Sequence, residues 1–529
     1  MILGTGCVLV SLDARGEAPA SAPSAPARWK NGPPADEHYF PIAVWLQNPR
    51  NAARYQAAGI NLYVGLWQGP TATQLAELKQ ANMPVICAQS AAALKHIDNP
   101  IIVGWMHDDE PDNAQSLGSG QGYGPPILPE AILRDYERMR AADPSRPVLL
   151  NLGQGVAYDN YIGRGVRRNH PEDYLEYVKG ADVVSFDIYP AVHENPEVSG
   201  KLEFVAQGVE RLRQWTRGQK IVWNCIECTH IGNPQAKATP QQVRSEVWMA
   251  LVHGSRGLIY FVHQFKPAFR EAALLDDPEM LAAVTAINRQ IRELAPVLNS
   301  PSLTESVRVK SSAPDTPLAW MMKRRGDETC LFTVSLRNRP TRGSFEIRDL
   351  PKDATAEVLG ESRSLSVKNR AFADEFEPYA VHLYRVRGLR QDPSPGESRK
   401  PARGTSARPR EVKGGAPNSN PARRSSPIAL LRRFFTEFRG AAESPRLTVI
   451  PKGCNVNSRG CHPRDPAKSR PPGPDGAERF PVPSVRPLQG RGLEPGDPPG
   501  STRSYSGCAP PGQDRWSPRK PEKNLLKAD

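Results

Sequence analysis

An eightfold alternation of short apolar runs with helical patterns is the feature that most constrains the fold of this chain. The runs lie at residues 42–47, 60–66, 84–88, 101–106, 148–152, 183–188, 221–226 and 258–262. Apolar runs that alternate with helices are typical of parallel strands joined by crossover helices. Eight units within a segment of about 250 residues match a (β/α)8 TIM barrel. We therefore predict an α/β fold with this barrel at residues 38–300.

The segments between the runs carry helix signals of their own. Thr239, Pro240 and Gln242 combine an N-cap residue, proline at the first helical position and the glutamine of a capping box. Asp277 and Pro278 begin the last helix of the region in the same way. Each helix needs a sheet against which to bury its apolar side, as the barrel provides.

A different pattern follows the barrel. Short runs with alternating polarity occur at 307–309, 318–322, 330–336, 344–347, 356–359 and 379–384. Alternation with a period of two predicts antiparallel strands, and this number of strands is typical of a small β-sandwich. We predict a C-terminal β-sandwich at residues 301–388 that supports the barrel.

The two ends of the chain differ from the centre in composition. From residue 388 onward there are 27 Lys and Arg against 13 Asp and Glu, together with 24 of the 54 prolines. This Pro/Arg-rich composition predicts a disordered tail at residues 389–529. Residues 1–387 have a net charge of −1, with 42 basic against 43 acidic side chains, so the body is not expected to bind nucleic acid specifically.

The N-terminal residues 1–37 begin with an apolar stretch followed by an Ala/Pro/Ser-rich segment, which could be the remnant of an export signal. We therefore expect a periplasmic or extracellular protein. No apolar run reaches about 18 residues, so no membrane span is predicted. The eight cysteines are scattered, and the Cys225 and Cys228 pair has no second pair to complete a zinc site.

Two glutamates follow strands of the predicted barrel: Glu110 after the fourth and Glu227 at the end of the seventh. In barrels of this type the reactive groups project from the C-terminal ends of the strands, so both carboxyl groups should face one mouth. Two carboxyl groups about 5 to 5.5 Å apart are what retaining glycoside hydrolysis needs. Glu110 would be the acid and then the base, and Glu227 would be the nucleophile, with no cofactor.

Other residues at the same predicted edge are candidates for binding a carbohydrate substrate. Aromatic rings could stack on sugar faces, and polar groups could bind hydroxyl groups. Tyr189 could also orient Glu227 through a hydrogen bond. The candidates are Trp45, Trp67, Trp105, Asp109, Asn151, Asp187, Tyr189, His230 and His263.

At these residues the chain resembles the clan A glycoside hydrolases, which include β-galactosidases and cellulases. The resemblance covers residues 40–300; it implies an acid/base at Glu110 and a nucleophile at Glu227, and residues 183–190 are similar to the sixth-strand segment of the clan. The clan usually has asparagine before the acid/base, where this chain has Asp109. That difference leaves the substrate open.

Three other interpretations remain. The acidic residues around Glu110 could simply begin a helix, since acidic residues favour its first turn. A barrel that binds carbohydrate without cleaving it would have the same residues. A metal-dependent hydrolase could use His107, Asp109, His230 and His263.

Overall fold

A computed structural model describes residues 29–118 and 121–387. The predicted export signal lies largely outside these residues, and the predicted disordered tail lies outside them entirely. Within the described residues, no helix is both long and apolar enough to cross a membrane.

The larger, N-terminal part of the described chain is a closed parallel barrel. Its strands are β1 (Ile42–Trp45), β2 (Leu62–Val64), β3 (Val85–Ala88), β4 (Ile102–Met106), β5 (Val148–Leu152), β6 (Val183–Phe186), β7 (Ile221–Val222), β8 (Asn224–Glu227) and β9 (Leu258–Phe261). β7 and β8 are two parts of the seventh barrel strand, interrupted at Trp223: β7 pairs with β6, and β8 pairs with β9. β9 pairs with β1, which closes the ring. The predicted eight-stranded barrel is confirmed.

Each barrel strand is followed by at least one helix. The α-helices are α1 (Ala52–Ala57), α2 (Ala72–Gln80), α3 (Ala91–Leu94), α4 (Pro129–Ala142), α5 (Tyr174–Tyr177), α6 (Glu203–Trp215), α7 (Pro240–Val252) and α8 (Pro278–Leu298). The predicted capping box is present, because the Thr239 side chain accepts from the Gln242 N–H and the Gln242 side chain accepts from the Thr239 N–H. Asp277 caps α8 in the predicted way.

The smaller, C-terminal part is antiparallel, as predicted. Its strands are β10 (Ser302–Leu303), β11 (Val307–Ser311), β12 (Leu318–Arg325), β13 (Glu328–Ser335), β14 (Thr341–Ile347), β15 (Asp353–Val358), β16 (Arg363–Lys368), β17 (Ala371–Phe376) and β18 (Val381–Arg387). They form one sheet in the order β10-β12-β13-β18-β15-β16-β17-β14-β11. The sheet curls around one apolar core that includes Phe345, Phe372 and Tyr384. The expected sandwich is thus a single curled sheet.

Helix α7 packs against this sheet. The Trp248 and Phe332 rings lie 5.2 Å apart, and the Ser245 hydroxyl donates to the Tyr379 carbonyl oxygen at 2.7 Å. The Tyr379 hydroxyl donates to the Gly200 carbonyl oxygen at 2.9 Å. The sheet therefore supports the barrel on the side of α7.

Candidate active site

Glu110 lies four residues after the end of β4 in a constrained segment. Its φ is 44°, a left-handed conformation that costs free energy for any residue other than glycine. The Glu110 N–H donates to the Asn151 carbonyl oxygen at 3.2 Å. Two residues later, the Asp112 carboxylate accepts from the Gly153 N–H and from the Tyr174 hydroxyl, each at 2.8 Å. These contacts fix the segment against the next barrel strand.

The carboxyl group of Glu110 is hydrogen-bonded to the carboxyl group of Asp187, which follows β6. Glu110 is only 2% exposed. Burial, and then the neighbouring charges of Asp187 and Asp109, raise the pKa of Glu110 well above its usual value. The pKa of Asp187 is raised by burial to about 6, although the hydrogen bonds from Glu110 and Tyr189 oppose the rise. The pair therefore holds a proton at neutral pH, with Glu110 as its carrier.

Tyr189 contacts Asp187. Its hydroxyl donates to Asp187 Oδ2 at 3.0 Å. The prediction that the Tyr189 hydroxyl hydrogen-bonds and orients Glu227 is therefore wrong, because this hydroxyl binds Asp187 of the Glu110–Asp187 pair.

Asp109 and Asn151 form a second polar contact beside this pair. The Asn151 amide donates to Asp109 Oδ1 at 2.9 Å and accepts from the Ser185 hydroxyl at 2.7 Å. Asp109 is exposed to solvent. Partial desolvation by the surrounding protein, and then the charge of Asp187, raise its pKa above the usual value. Asp109, Glu110 and Asp187 thus form one group of interacting carboxyl groups.

Glu227 lies in a different environment. It is 0% exposed, and its two carboxylate oxygens accept from the Ala191 N–H at 2.6 Å and the Val192 N–H at 3.1 Å. Its carboxyl neighbour is Glu246 of α7, which donates a hydrogen bond to it. Burial raises the pKa of Glu227 to about 7, and these three hydrogen bonds oppose the rise. The structure therefore brings Glu110 together with Asp187, and Glu227 together with Glu246.

The three tryptophans predicted to stack on sugar differ in position. Trp67 is half-buried after β2, and Trp45 is buried in the barrel interior at the end of β1. Trp105 is fully buried between β4 and the helices, where its Nε1 donates to Asp143 at 2.9 Å and the Arg146 guanidinium lies over its ring. Trp105 faces the outside of the barrel wall, so its ring does not reach the mouth.

The two candidate histidines lie at the ends of β8 and β9. The His230 Nδ1 is 2.8 Å from the Ala236 carbonyl oxygen, and the ring lines a cavity of about 250 Å³ with Lys237, Arg270 and Asp276. The His263 Nε2 is 3.1 Å from the Gln47 amide nitrogen. Burial lowers the pKa of His263 to about 4, so this ring is neutral. The described residues contain no grouping of three His, Cys, Asp or Glu side chains suited to hold a metal ion.

Several residues of this region were not predicted from sequence. Glu246 pairs with Glu227 from a helix, and Gln47 links His263 to the Tyr55 hydroxyl, which donates to Gln47 at 2.6 Å. Phe261, Phe265 and Phe269 form a ring cluster beside His263. These three phenylalanines are spaced four residues apart, which was a signal available in the sequence.

Comparisons with known proteins find similarity in fold only. No protein-family model and no curated protein sequence matches the chain. Among solved structures, AmyP in complex with maltose is 9% identical over 66% of this chain and 96% of its own, with a TM-score of 0.41. A GH30 endoxylanase from Clostridium papyrosolvens is 10% identical over 66% and 96%, with a TM-score of 0.39. A maltogenic α-amylase from Thermotoga neapolitana is 8% identical over 67% and 99%, with a TM-score of 0.38. Such distant similarity does not bear on activity.

Proposed function

We propose that the chain is a retaining glycoside hydrolase that cleaves a β-linked saccharide without a cofactor. The observation that carries this proposal is the hydrogen-bonded Glu110–Asp187 pair beyond the C-terminal ends of the barrel strands. A carboxyl group that stays protonated at neutral pH is what protonation of a glycosidic oxygen requires. Asp187 keeps the proton on Glu110 by placing a negative charge beside it.

In the proposed reaction, Glu110 gives its proton to the leaving oxygen as the glycosidic C–O bond breaks. Glu227 supplies the carboxylate that attacks the anomeric carbon and forms the covalent glycosyl intermediate. Glu110, now ionised, removes a proton from water, and the resulting hydroxide releases the sugar and frees Glu227. The two backbone N–H groups at Ala191 and Val192 favour the ionised form of Glu227, as a nucleophile needs.

The geometry of Asp187 argues against it as the nucleophile. Its carboxyl group is in direct hydrogen-bond contact with that of Glu110, which leaves no room for an anomeric carbon between the two groups. Asp187 is therefore assigned as a positioning residue.

A second candidate is a barrel that binds carbohydrate without cleaving it. The environment of Glu227 favours this alternative, because both of its oxygens already accept backbone hydrogen bonds and its side chain has no exposure. Attack on a sugar would require the Ala191–Val192 segment or the Glu246 contact to move.

The test is hydrolysis of a panel of aryl β-glycosides by the wild type and by Glu110→Ala, Asp187→Ala and Glu227→Ala, each with and without azide. Glu77→Ala, on the exposed side of α2, is the matched control. Glu227→Ala should lose turnover and form a glycosyl azide of inverted configuration when azide is added, whereas Glu110→Ala with azide should give the retained product. Full activity of Glu227→Ala would eliminate the proposed nucleophile. Binding of sugars without turnover by the wild type would establish the second candidate.

A further inference from the structure

A row of rings leads from the carboxyl group of Asp187 to the surface. The Tyr189 ring, whose hydroxyl donates to Asp187, lies 5.1 Å from the Phe261 ring. Phe261 lies 5.1 Å from the His263 ring, which is stacked 6.2 Å from Phe269. Phe265 adjoins this row, stacked 6.1 Å from His263 at an interplanar angle of 10°. Tyr189, Phe261 and His263 are buried, whereas Phe269 at the outer end of the row is 41% exposed.

The segment that carries the outer rings is held by backbone pairing. The Gln264 and Arg270 backbones exchange two hydrogen bonds at 2.9 and 2.8 Å, which closes residues 264–270 into a hairpin. The Phe265 N–H donates to the Ile231 carbonyl oxygen at 2.6 Å, which joins the hairpin to the segment after β8. Such pairing positions Phe269 on a supported element, and its exposure is therefore built into the local fold.

The outer end of the row is an exposed aromatic surface that rests on buried rings. A phenylalanine that only completed a core would be covered, as Phe261 is at 8% exposure. Phe269 instead presents its ring to solvent next to a neutral His263 and a half-buried Phe265. An uncharged aromatic surface beside polar groups is a common composition of sites that bind sugars or other small molecules with one apolar face.

We propose that Phe265 and Phe269 form a binding subsite for sugar units beyond the one that is cleaved, and that the substrate is a β-linked oligosaccharide or polysaccharide. This inference rests on the proposed function, because it takes the Glu110–Asp187 pair as the reacting end of the row. Three ring-to-ring steps of 5.1, 5.1 and 6.2 Å separate Phe269 from Tyr189, so the outer rings lie beyond the ring that contacts Asp187. We therefore expect a glycoside of one sugar to leave Phe265 and Phe269 uncovered.

The experiment measures binding and hydrolysis separately. Binding is measured by calorimetry in the Glu110→Gln background, so that the ligand is not cleaved; the ligands are cellohexaose, xylohexaose, mannohexaose and laminarihexaose. Hydrolysis of an aryl monoglycoside and of an aryl oligosaccharide is measured in proteins that keep Glu110. The variants are Phe269→Ala, Phe265→Ala and Phe269→Trp. Leu175→Ala, which removes an apolar side chain of similar exposure (46%) on α5, is the control.

Phe269→Ala and Phe265→Ala should weaken binding of one hexasaccharide roughly tenfold and raise KM for the aryl oligosaccharide similarly. The aryl monoglycoside should be cleaved as before, Phe269→Trp should retain binding, and Leu175→Ala should behave as the parent protein. If the wild type hydrolyses glycosides but both alanine variants bind the hexasaccharides as tightly as the parent protein, the subsite is wrong and the proposed function stands. If hexasaccharide binding depends on Phe269 but the wild type hydrolyses no glycoside, the proposed function is wrong and the subsite stands. If the parent protein neither binds nor cleaves any of the sugars, both proposals are wrong.

Discussion

Replacing Glu246 by glutamine should make the protein more stable at neutral pH. Glu246 and Glu227 are both 0% exposed, and among the described residues neither has an ion pair with a basic side chain. Burial, and then the charge of Glu227, raise the pKa of Glu246 well above its usual value of 4.5. The folded chain therefore holds a proton on Glu246 that the unfolded chain has released at neutral pH. The free energy of unfolding is therefore highest below about pH 4.5, where Glu246 is protonated in both states, and it falls as pH rises above that value.

The size of the effect follows from linkage. One extra proton in the folded state costs about 1.36 kcal/mol for each pH unit above the unfolded pKa, which amounts to roughly 3 kcal/mol at pH 7. Glutamine is a neutral analogue of protonated glutamate and can donate to Glu227 through its amide. Glu246→Gln should therefore match the wild type near pH 4 and exceed it by roughly 3 kcal/mol at pH 7.

The assay is urea unfolding followed by tryptophan fluorescence at half-unit steps from pH 4 to pH 8. Glu293→Gln, which removes one negative charge from the exposed side of α8, is the matched control. The gap in free energy of unfolding between Glu246→Gln and the wild type should widen with pH. Parallel curves for the two proteins would refute the reasoning, because they would mean that Glu246 is ionised in the folded state.

Two further substitutions test the segments that hold the site. Arg164 is buried between Asp112 and Asp173, with its guanidinium 2.6 Å from Asp173 Oδ2, and Asp173 also pairs with Arg167. Arg164→Met should lower the free energy of unfolding measured in urea by about 3 kcal/mol, because it leaves the buried Asp112 carboxylate without its basic partner. An unchanged urea midpoint would contradict the pairing. Thr239→Ala removes the side-chain half of the capping box on α7 and should cost about 1 kcal/mol in the same assay, whereas Thr239→Ser should retain most of that stability. Equal losses in both variants would show that the hydroxyl does not act as the cap.

The barrel could be predicted from sequence because each of its strands is a compact apolar run between helix signals. Three strands of the C-terminal sheet, Ser302–Leu303, Arg363–Lys368 and Ala371–Phe376, were not predicted. The strand Arg363–Lys368 contains only two apolar residues, Leu365 and Val367, and its other residues are polar. Its turn to the next strand uses Asn369 and Arg370, both with positive φ, and so lacks the glycine that usually marks such a turn. The register of that hairpin depends on packing of Phe372 and Phe376 in the core rather than on local sequence.

The site could be predicted only in part. The position of Glu110 follows from the end of β4, but its partner Asp187 is far away in sequence, and side-chain pairing across that interval depends on tertiary structure.

The outward orientation of Trp105 could have been predicted from the sequence. Successive residues of a strand point to opposite faces, so Trp105 and Met106 cannot both face the barrel interior. Met106 belongs to the interior cluster and Trp105 to the outer one.

Two sets of carboxyl groups in the described residues differ in their partners, and the difference bears on function. Asp143 is buried and Asp173 is half-buried, yet hydrogen bonds from Ser145 and Arg146 to Asp143, and from Arg164 and Arg167 to Asp173, outweigh the effect of burial and lower the pKa of each. Glu110 and Asp187 are buried and Asp109 is exposed beside them. Among the described residues none of the three has an ion pair with a basic side chain, and their pKa values are raised. Such groups reduce stability at neutral pH, and a purely structural role would be served better by amides or by added arginines. Raised pKa values without compensation are typical of acid catalysts, which supports testing these three residues first.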